Sequence, residues 1–319
     1  MKKIVILKPF IMPLATELVD QIKQAAPDYT VFDYTNDQYT VSDLLDAEII
    51  LGWAPEVEEA LNHPNQIKWI QMWIVGVDKV PLAKIANNGT RLTTAGGANA
   101  PGIVQQILGL MLMQARRLGV QLDQQRNKEW QFPENMTEIT DKNVLLLGTG
   151  KIADSFVKAA RGFDLTIQGV NTTGHPTETI KDTYPIDAFT QPLSEADYVI
   201  NFLPHTSKTN QLLGASFFNT MPEHAIYINY GRGKTTDEEA LITALENRKI
   251  GGAILDVFRE EPLPKDSPLW QMPNVYLTPH SAGQSDYYNE RVVQIFIRNL
   301  NAYQTQESLE NQVNFDREY

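Results

Sequence analysis

The chain has 319 residues, a length that suggests two domains of ordinary size. Hydrophobic residues make up 42% of it, which is enough for a sizeable core, and the net charge of -12 argues against a nucleic-acid-binding protein, which would normally be basic. Cysteine is absent, so disulfides, Cys-ligated zinc and thiol nucleophiles are excluded, and we predict no metal site.

The N-terminal segment predicts a first strand rather than a signal peptide. Its apolar run, Ile4–Leu7, follows two lysines but is short, because Lys8 and Pro9 end it. No stretch of the sequence approaches the length of a membrane span. We therefore expect the protein to be cytoplasmic.

Residues 1–100 alternate strand and helix signals, a pattern that predicts a parallel sheet covered by helices. A helix is predicted over Leu14–Ala25, and Ser42 is predicted to cap a short second helix. The predicted strands are Ile4–Leu7, Thr30–Phe32, Glu48–Gly52, Lys68–Met72 and Arg91–Thr94.

A long apolar helix is predicted to separate this region from a second one. It covers Pro101–Leu118 and, because it is apolar on most faces, we expect it to be buried between two domains. The polar segment Gln124–Thr140 is predicted to be a connector. A second alternating series then predicts a doubly wound dinucleotide domain with six strands: Val144–Leu147, Leu165–Val170, Tyr198–Phe202, Ala225–Asn229, Gly252–Asp256 and Val275–Leu277.

The last predicted helix, Asp286–Tyr303, is followed by too little chain for a third domain. We expect it to pack on the first domain, which is then discontinuous. The predicted boundaries are residues 1–100 with 284–319 for the substrate domain, and residues 101–283 for the dinucleotide-binding domain.

A glycine turn with the pattern of a dinucleotide fingerprint joins a predicted strand to a helix predicted over Asp154–Gly162. Gly148 would allow the tight turn, Gly150 would let the backbone approach a pyrophosphate, and Ala153 would keep the helix close to the strand. An ordinary strand–helix turn is the alternative interpretation. The residues expected to contact the cofactor here are Gly148, Thr149, Gly150, Lys151 and Ile152.

The loop after the second strand of this series bears on the choice of cofactor. An acid there would bind the ribose 2′-hydroxyl of NAD, but the chain has Asn171, Thr172 and Thr173. These neutral side chains would not repel a 2′-phosphate, although no arginine is present to clamp one. The loop therefore favours NADP over NAD as the cofactor, with a plain polar loop as the alternative.

Charged side chains follow three successive strands of the predicted dinucleotide domain. Arg232 lies between two glycines, where a guanidinium can hold a carboxylate in a fork. Asp256 ends the next strand, Glu261 follows it, and His280 comes after the last strand as a candidate general acid/base. Each of these would more often be structural if it stood alone, but together they predict an active site.

The chain resembles the D-isomer-specific 2-hydroxyacid dehydrogenase family over essentially its full length. The resemblance implies two doubly wound parallel-sheet α/β domains, with a Rossmann cofactor domain inserted into a flavodoxin-like substrate domain. It also implies a homodimer that transfers a hydride between NAD(P)H and a small 2-keto or 2-hydroxy acid. The segments that carry the resemblance are Val75–Asp78, Gly148–Ala153, Asn229–Gly233, Asp237–Leu241, Leu255–Pro262 and Thr278–Gly283.

This resemblance also implies roles for single residues. Arg232 would bind and polarise the keto acid, His280 would donate the proton, and Glu261 would pair with His280. The substrate carboxylate would be held by backbone amides at Val75 and Gly76. Trp53 is a further candidate for the substrate side, with core packing as the alternative for it and for Trp69 and Trp73. Asp256 would face the nicotinamide amide. The remaining expected cofactor contacts are Leu203, Pro204, His205, Tyr230, Gly231 and His280.

Gln105 departs from the family pattern, since a glutamate is usual at its position. The competing functional class is a cofactor-dependent interaction protein that resembles the C-terminal binding protein corepressors and has no turnover. A formate dehydrogenase is a closer rival, but that branch has a glutamine where Glu261 stands. Turnover of glyoxylate or pyruvate with a nicotinamide cofactor would separate the dehydrogenase from the interaction protein.

Overall fold

The structure, a computed structural model, describes residues 2–9 and 13–316. It divides into two compact units, Met1–Asn99 with Gln284–Tyr319, and Ala100–Gly283. The strands are β1 Lys2–Leu7, β2 Tyr29–Tyr34, β3 Ile49–Leu51, β4 Trp69–Gln71, β5 Arg91–Thr93, β6 Asn143–Leu147, β7 Thr166–Asn171, β8 Thr183–Pro185, β9 Tyr198–Asn201, β10 Ile226–Asn229, β11 Gly252–Leu255 and β12 Val275–Leu277. The α-helices are α1 Thr16–Ala25, α2 Pro55–Ala60, α3 Leu82–Asn87, α4 Ala100–Ala115, α5 Leu118–Asn127, α6 Lys151–Ala159, α7 Thr190–Glu195, α8 Ala215–Thr220, α9 Glu238–Glu246 and α10 Tyr288–Gln304.

The first unit is built on a five-stranded parallel sheet in the order β2-β1-β3-β4-β5, the order of flavodoxin-like folds. Its central strands are buried, which explains why β1 is an unbroken apolar run rather than an alternating one. On one face Trp69 of β4 is fully buried, and its ring stacks on Phe296 of α10 with centroids 5.1 Å apart. The packing of α10 thus completes the core of this unit.

The segment after α10 lies along the edge of the same sheet. Gln312 forms an antiparallel bridge with Thr93 of β5. The Asn311 side chain donates to the carbonyls of Thr94 and Gly96, at 3.2 Å and 2.9 Å. Residues from both ends of the chain therefore build the first unit.

The second unit is built on a seven-stranded parallel sheet in the order β12-β11-β10-β9-β6-β7-β8. The chain runs outward from β6 through β7 to β8 and then returns to the other side of β6 with β9. Strand order reverses there, and in open α/β sheets ligands bind at the carboxyl ends of strands beside such a reversal. The apolar side chains of α4, including Ile103, Ile107 and Met111, pack on this sheet and on α6. Both units are doubly wound parallel-sheet folds and the second is a Rossmann fold, so the predicted fold class is confirmed.

Several predicted elements were wrong in extent or number. The second sheet has seven strands rather than six, because β8 was not predicted. The helix predicted to reach Leu118 ends at Ala115, and α5 occupies part of the predicted connector and the residues before it. Thr40, rather than Ser42, caps the short 3₁₀ helix Val41–Asp43, through a reciprocal pair of bonds with Asp43. In the described part of the chain, no helix combines the length and apolar character that crossing a bilayer requires.

Candidate active site

The glycine turn between β6 and α6 has the shape that a dinucleotide phosphate requires. Gly148 has φ +98°, a backbone conformation that side-chain-bearing residues rarely adopt. Gly150 is the N-cap of α6, and a Cβ placed on it would meet no protein atom within 4 Å. Ala153 is fully buried against the sheet. The N–H groups at the start of α6, together with the open side of Gly150, fit a pyrophosphate.

The Asn171 side chain is engaged in shaping its own loop after β7. Its Oδ1 accepts from the backbone amides of Thr173 and Gly174, at 3.1 Å and 2.7 Å. Its Nδ2 donates to Thr149 Oγ1 at 3.2 Å and to the carbonyl of His175 at 2.9 Å. Such bonds from an asparagine to its following residues stabilise a turn. Asn171 therefore joins this loop to the glycine turn, while Thr172 and Thr173 are exposed.

Arg232 lies in a loop whose two glycines are required by close backbone contacts. A Cβ on Gly231 would lie 2.6 Å from the carbonyl oxygen of Leu203, and a Cβ on Gly233 would overlap the carbonyl of Phe258. Arg232 Nη1 donates to the carbonyl of Gly231 at 2.9 Å. The absence of side chains on the two glycines thus lets this loop approach both the loop after β9 and the loop that carries Glu261.

Glu261 and His280 form a hydrogen-bonded pair. His280 Nδ1 lies 2.7 Å from Glu261 Oε2, and the other carboxylate oxygen accepts from the amide of Phe258 at 3.0 Å. The side chains are 50% exposed for His280 and 36% exposed for Glu261. With Nδ1 bonded to the carboxylate, Nε2 is the ring nitrogen that remains for proton transfer.

The pair favours its charged form. The hydrogen bond with Glu261 raises the pKa of His280 above its usual value, although burial and the charge of Arg232 act in the opposite direction. Burial alone would raise the pKa of Glu261, but the bonds from His280 and the Phe258 amide outweigh it, so this pKa is lowered. A protonated histidine beside an ionised glutamate is the arrangement of a general acid held in place.

Asp256 supports the loop that carries His280. This carboxylate is only 3% exposed, and burial raises its pKa. Its Oδ1 accepts from the Thr278 hydroxyl at 2.6 Å and from the Ser281 amide at 3.1 Å, and its Oδ2 accepts from the Ala282 amide at 3.3 Å. Asp256 therefore fixes the backbone that follows His280 and the Thr278 side chain that precedes it, while His280 itself has φ +50°.

Gln106 is a site residue that the sequence analysis missed. Its Nε2 donates to the Thr278 hydroxyl at 2.8 Å, to the Tyr230 hydroxyl at 3.2 Å and to Asp256 Oδ1 at 3.3 Å. Gln105, which the sequence analysis singled out instead, is exposed. The signal that could have drawn attention to Gln106, a polar residue inside an apolar helix, is shared with its neighbour Gln105.

The other predicted residues lie in the loop after β9, at the start of α6 or in the first unit. His205 Nε2 lies 3.0 Å from Asn210 Oδ1 within the loop after β9, and Lys151 is exposed at the start of α6. Trp69 and Trp73 are core residues of the first unit, and Trp73 Nε1 donates to the carbonyl of Leu7. The three substrate candidates of that unit, Trp53, Val75 and Gly76, are half-buried.

Comparison with known proteins gives a consistent assignment. Residues 108–282 match the family model described as D-isomer specific 2-hydroxyacid dehydrogenase, NAD binding domain. A probable 2-ketogluconate reductase of Dictyostelium discoideum is 34% identical over 70% of this chain and 68% of its own length. The glyoxylate/hydroxypyruvate reductase B of Citrobacter koseri is 32% identical over 76% of this chain and 78% of its own length.

Solved structures show the same architecture. A D-isomer specific 2-hydroxyacid dehydrogenase family protein from Aeromonas salmonicida is 29% identical and superposes with a TM-score of 0.83 over 99% of both chains. The family model covers more than half of this chain, and its match contains the glycine turn, the Arg232 loop and the Glu261–His280 pair. The chain therefore belongs to the D-isomer specific 2-hydroxyacid dehydrogenase family, NAD(P)-dependent oxidoreductases that act on the CH–OH group of 2-hydroxy acids.

Proposed function

We propose that this enzyme reduces small 2-keto acids, with His280 as the proton donor, Glu261 as its partner and Arg232 as the group that binds the keto acid. The 2.7 Å contact between His280 Nδ1 and Glu261 Oε2 is the observation that carries the proposal. It holds the imidazole in one orientation and favours its protonated form. A reductase needs such a donor because the keto oxygen gains a proton as C2 gains a hydride.

Each of these side chains has a separate task in the proposed reaction. When bound, the nicotinamide cofactor supplies the hydride, and the protein supplies binding, orientation and electrostatics. The Arg232 guanidinium holds the substrate and stabilises the charge that develops on the keto oxygen. His280 gives its Nε2 proton to that oxygen, and Glu261 stabilises the imidazolium until then. In the reverse direction, neutral His280 accepts the hydroxyl proton.

We further propose glyoxylate and hydroxypyruvate as representative substrates. Relatives with these activities in their names cover three quarters of the chain at about one-third identity. The backbone amides at Val75 and Gly76 are the proposed partners of the substrate carboxylate, and Trp53 is proposed to limit the size of the substrate.

For the cofactor, we propose a slight preference for NADP over NAD. The loop after β7 has no carboxylate among residues 171–175 to repel a 2′-phosphate or to accept from both ribose hydroxyls. The proposed cofactor contacts are the glycine turn Gly148–Ile152, Thr172 and Thr173 after β7, the segment Leu203–His205 after β9, and Tyr230–Gly231, Asp256 and His280, with Asn171 as the residue that shapes the loop.

A homodimer is also proposed, and exposed apolar side chains support it. Trp130 is 97% exposed and Phe132 is 89% exposed, far more than large aromatic residues usually are. No described residue of α5 is buried. We use the name apolar strip for the exposed residues Leu118, Val120, Leu122, Trp130, Phe132 and Met136. A strip of this kind fits a second copy of the chain.

The proposed function is tested by a substrate panel with both cofactors. Oxidation of NADPH and NADH is followed with glyoxylate, hydroxypyruvate, pyruvate and 2-ketogluconate, and the chirality of the products from hydroxypyruvate and pyruvate is determined. We expect the D-hydroxy acid from each of these two substrates, whereas glyoxylate gives achiral glycolate. Tight cofactor binding without turnover of any keto acid would instead favour the interaction protein. Fractionation of source cells would test the expected cytoplasmic location.

A further inference from the structure

Two buried asparagines end neighbouring strands of the second sheet. Asn201 ends β9 and Asn229 ends β10, and the two lie opposite each other in the parallel register. Their exposures are 0% and 2%, and Asn201 Nδ2 donates to Asn229 Oδ1 at 3.0 Å. Buried amides are costly unless they are hydrogen-bonded, so the partners of these side chains indicate what they stabilise.

Each asparagine fixes the loop that follows its own strand. Asn201 Oδ1 accepts from the amide of Leu203 at 3.0 Å, and Asn229 Oδ1 accepts from the amide of Gly231 at 3.1 Å. Both bonds reach two residues along the chain, the spacing of an Asx turn. The bonded pair thereby sets the direction in which both loops leave the sheet.

Thr235 holds the other side of Arg232. Its side chain is fully buried, and its hydroxyl donates to the carbonyl of Arg232 at 2.7 Å. The same oxygen accepts from Asn201 Nδ2 at 2.8 Å. Since a hydroxyl has a single hydrogen to donate, the carbonyl takes it and the amide fills an acceptor position. The backbone N–H of Gly231 and the backbone carbonyl of Arg232 are thus both hydrogen-bonded to one buried network.

A second branch of this network leads away from Arg232. The Tyr227 hydroxyl lies 2.7 Å from Thr236 Oγ1 and accepts from Asn201 Nδ2 at 3.3 Å. Tyr227 is fully buried, and Thr236 is 3% exposed. This branch has the same polar character and burial as the Thr235 branch, but its tyrosine hydroxyl bonds to side chains rather than to the backbone at Arg232.

We propose that Asn229 and Thr235 are positioning residues that set the location of the Arg232 guanidinium for keto-acid binding and reduction. The inference rests on the proposed role of Arg232. A side chain with three methylenes and a planar head is only as well placed as the backbone that carries it, and small displacements of a binding group slow a reaction strongly. The two bonds remove the freedom of that backbone.

The test removes the hydroxyl of Thr235 but keeps the shape of the side chain. Thr235→Val should lower kcat/KM for glyoxylate by about tenfold or more, the scale expected for a misplaced binding group, while the Kd for NADPH stays unchanged. Thr235→Ser should restore most of the loss because it returns the hydroxyl. Tyr227→Phe is the matched control: it removes one buried hydroxyl from the same network and should lower Tm while leaving kcat/KM near that of the parent.

These measurements can overturn the inference. If Thr235→Val loses no more activity than Tyr227→Phe, or if the serine variant does not restore it, the hydroxyl serves stability alone and the inference fails. Thr235→Ala replaces the valine variant if that protein does not fold. Arg232→Lys is measured in parallel: normal keto-acid kinetics would overturn the role of Arg232 and this inference together. A loss in Arg232→Lys with normal kinetics in Thr235→Val would overturn only the inference.

Discussion

His280 owes its proposed chemistry to the groups that surround its ring and its backbone. Glu261 binds Nδ1, and the carboxylate of Asp256 holds the amides of Ser281 and Ala282 and the hydroxyl of Thr278. The ring is therefore held in place through Nδ1, and the proton for transfer is the one on Nε2. The Glu261 carboxylate thus favours the protonated ring of His280, whereas the Asp256 carboxylate fixes the loop that carries His280.

Removing the imidazole should slow the reaction far more than it weakens the fold. His280→Ala should reduce turnover of glyoxylate by roughly 10²- to 10⁴-fold, the usual contribution of a general acid. The matched control is His224→Ala, since His224 is also exposed and also lies near a carboxylate, Asp197, at 3.2 Å. Turnover of His280→Ala within a few-fold of the control would contradict the assignment of the proton donor.

The pH dependence of reduction should follow the raised pKa of His280. Reduction needs the protonated ring, so the rate should be level at low pH and fall as the pH rises through the pKa of His280, which lies above its usual 6.5. Glu261→Gln removes the charge that raises this pKa, so the fall should move to lower pH. Oxidation of the hydroxy acid should show the opposite slope. Identical profiles for the parent and Glu261→Gln would show that another group titrates.

At the scale of elements, the clearest sequence signals were the glycine turn and the strand ends. Parallel strands bring their carboxyl ends to one edge of a sheet, so Glu261 and His280 could be predicted to share one active site from the strands they follow. Their direct pairing was implied by the family resemblance. The short strand β8, Thr183–Pro185, has three residues and ends in a proline, so it carried no strand signal. Helix α5 carried little helical signal, because its apolar residues Leu118, Val120 and Leu122 stand two positions apart rather than three or four.

Contacts between distant side chains lay beyond the sequence analysis. Gln106 meets Thr278 and Asp256 across more than 140 positions of sequence, and no local pattern encodes such a pairing. Asn171 was predicted as a cofactor ligand because of its place after β7. Its bonds to the following amides depend on the actual path of the loop, in which Gly174 has φ +73°.

The loop after β7 should allow the cofactor preference to be changed at an exposed position. Thr172→Asp places a carboxylate there without removing a bond of Asn171, and it should shift preference from NADPH toward NADH by about 1–3 kcal/mol, the range of a charge-assisted hydrogen bond. Asn171→Asp is the comparison. It should shift preference in the same direction but weaken both cofactors, because Nδ2 no longer donates to Thr149 and His175.

Kd values for both cofactors on the parent and the two variants check this prediction. A parent that strongly prefers NADH would show that neutral side chains and backbone amides suffice for the ribose hydroxyls. An Asn171→Asp variant that binds NADH as tightly as Thr172→Asp does would show that the loop keeps its shape without the asparagine amide.

At the scale of the whole molecule, the apolar strip should determine the oligomeric state. Replacing Trp130 and Phe132 together by serine should convert a dimer to a monomer, since aromatic residues dominate interface energetics. Light scattering at several concentrations measures the mass directly. Trp270→Ser is the matched control, because Trp270 is 54% exposed in the same unit but lies outside the strip. A parent that is monomeric at working concentration, or a dimer that survives the double substitution, would contradict the proposal.

The order in which the chain is synthesised has a consequence for folding, because the first unit uses residues from both sides of the second. Until α10 is made, Trp69 lacks the aromatic ring of Phe296 that covers it, whereas Ala100–Gly283 already has all of its strands. On the ribosome, the inserted unit should therefore reach its native state before the unit that begins the chain. The N-terminal segment then keeps apolar surface exposed for that interval, and such surface in an incomplete unit promotes aggregation.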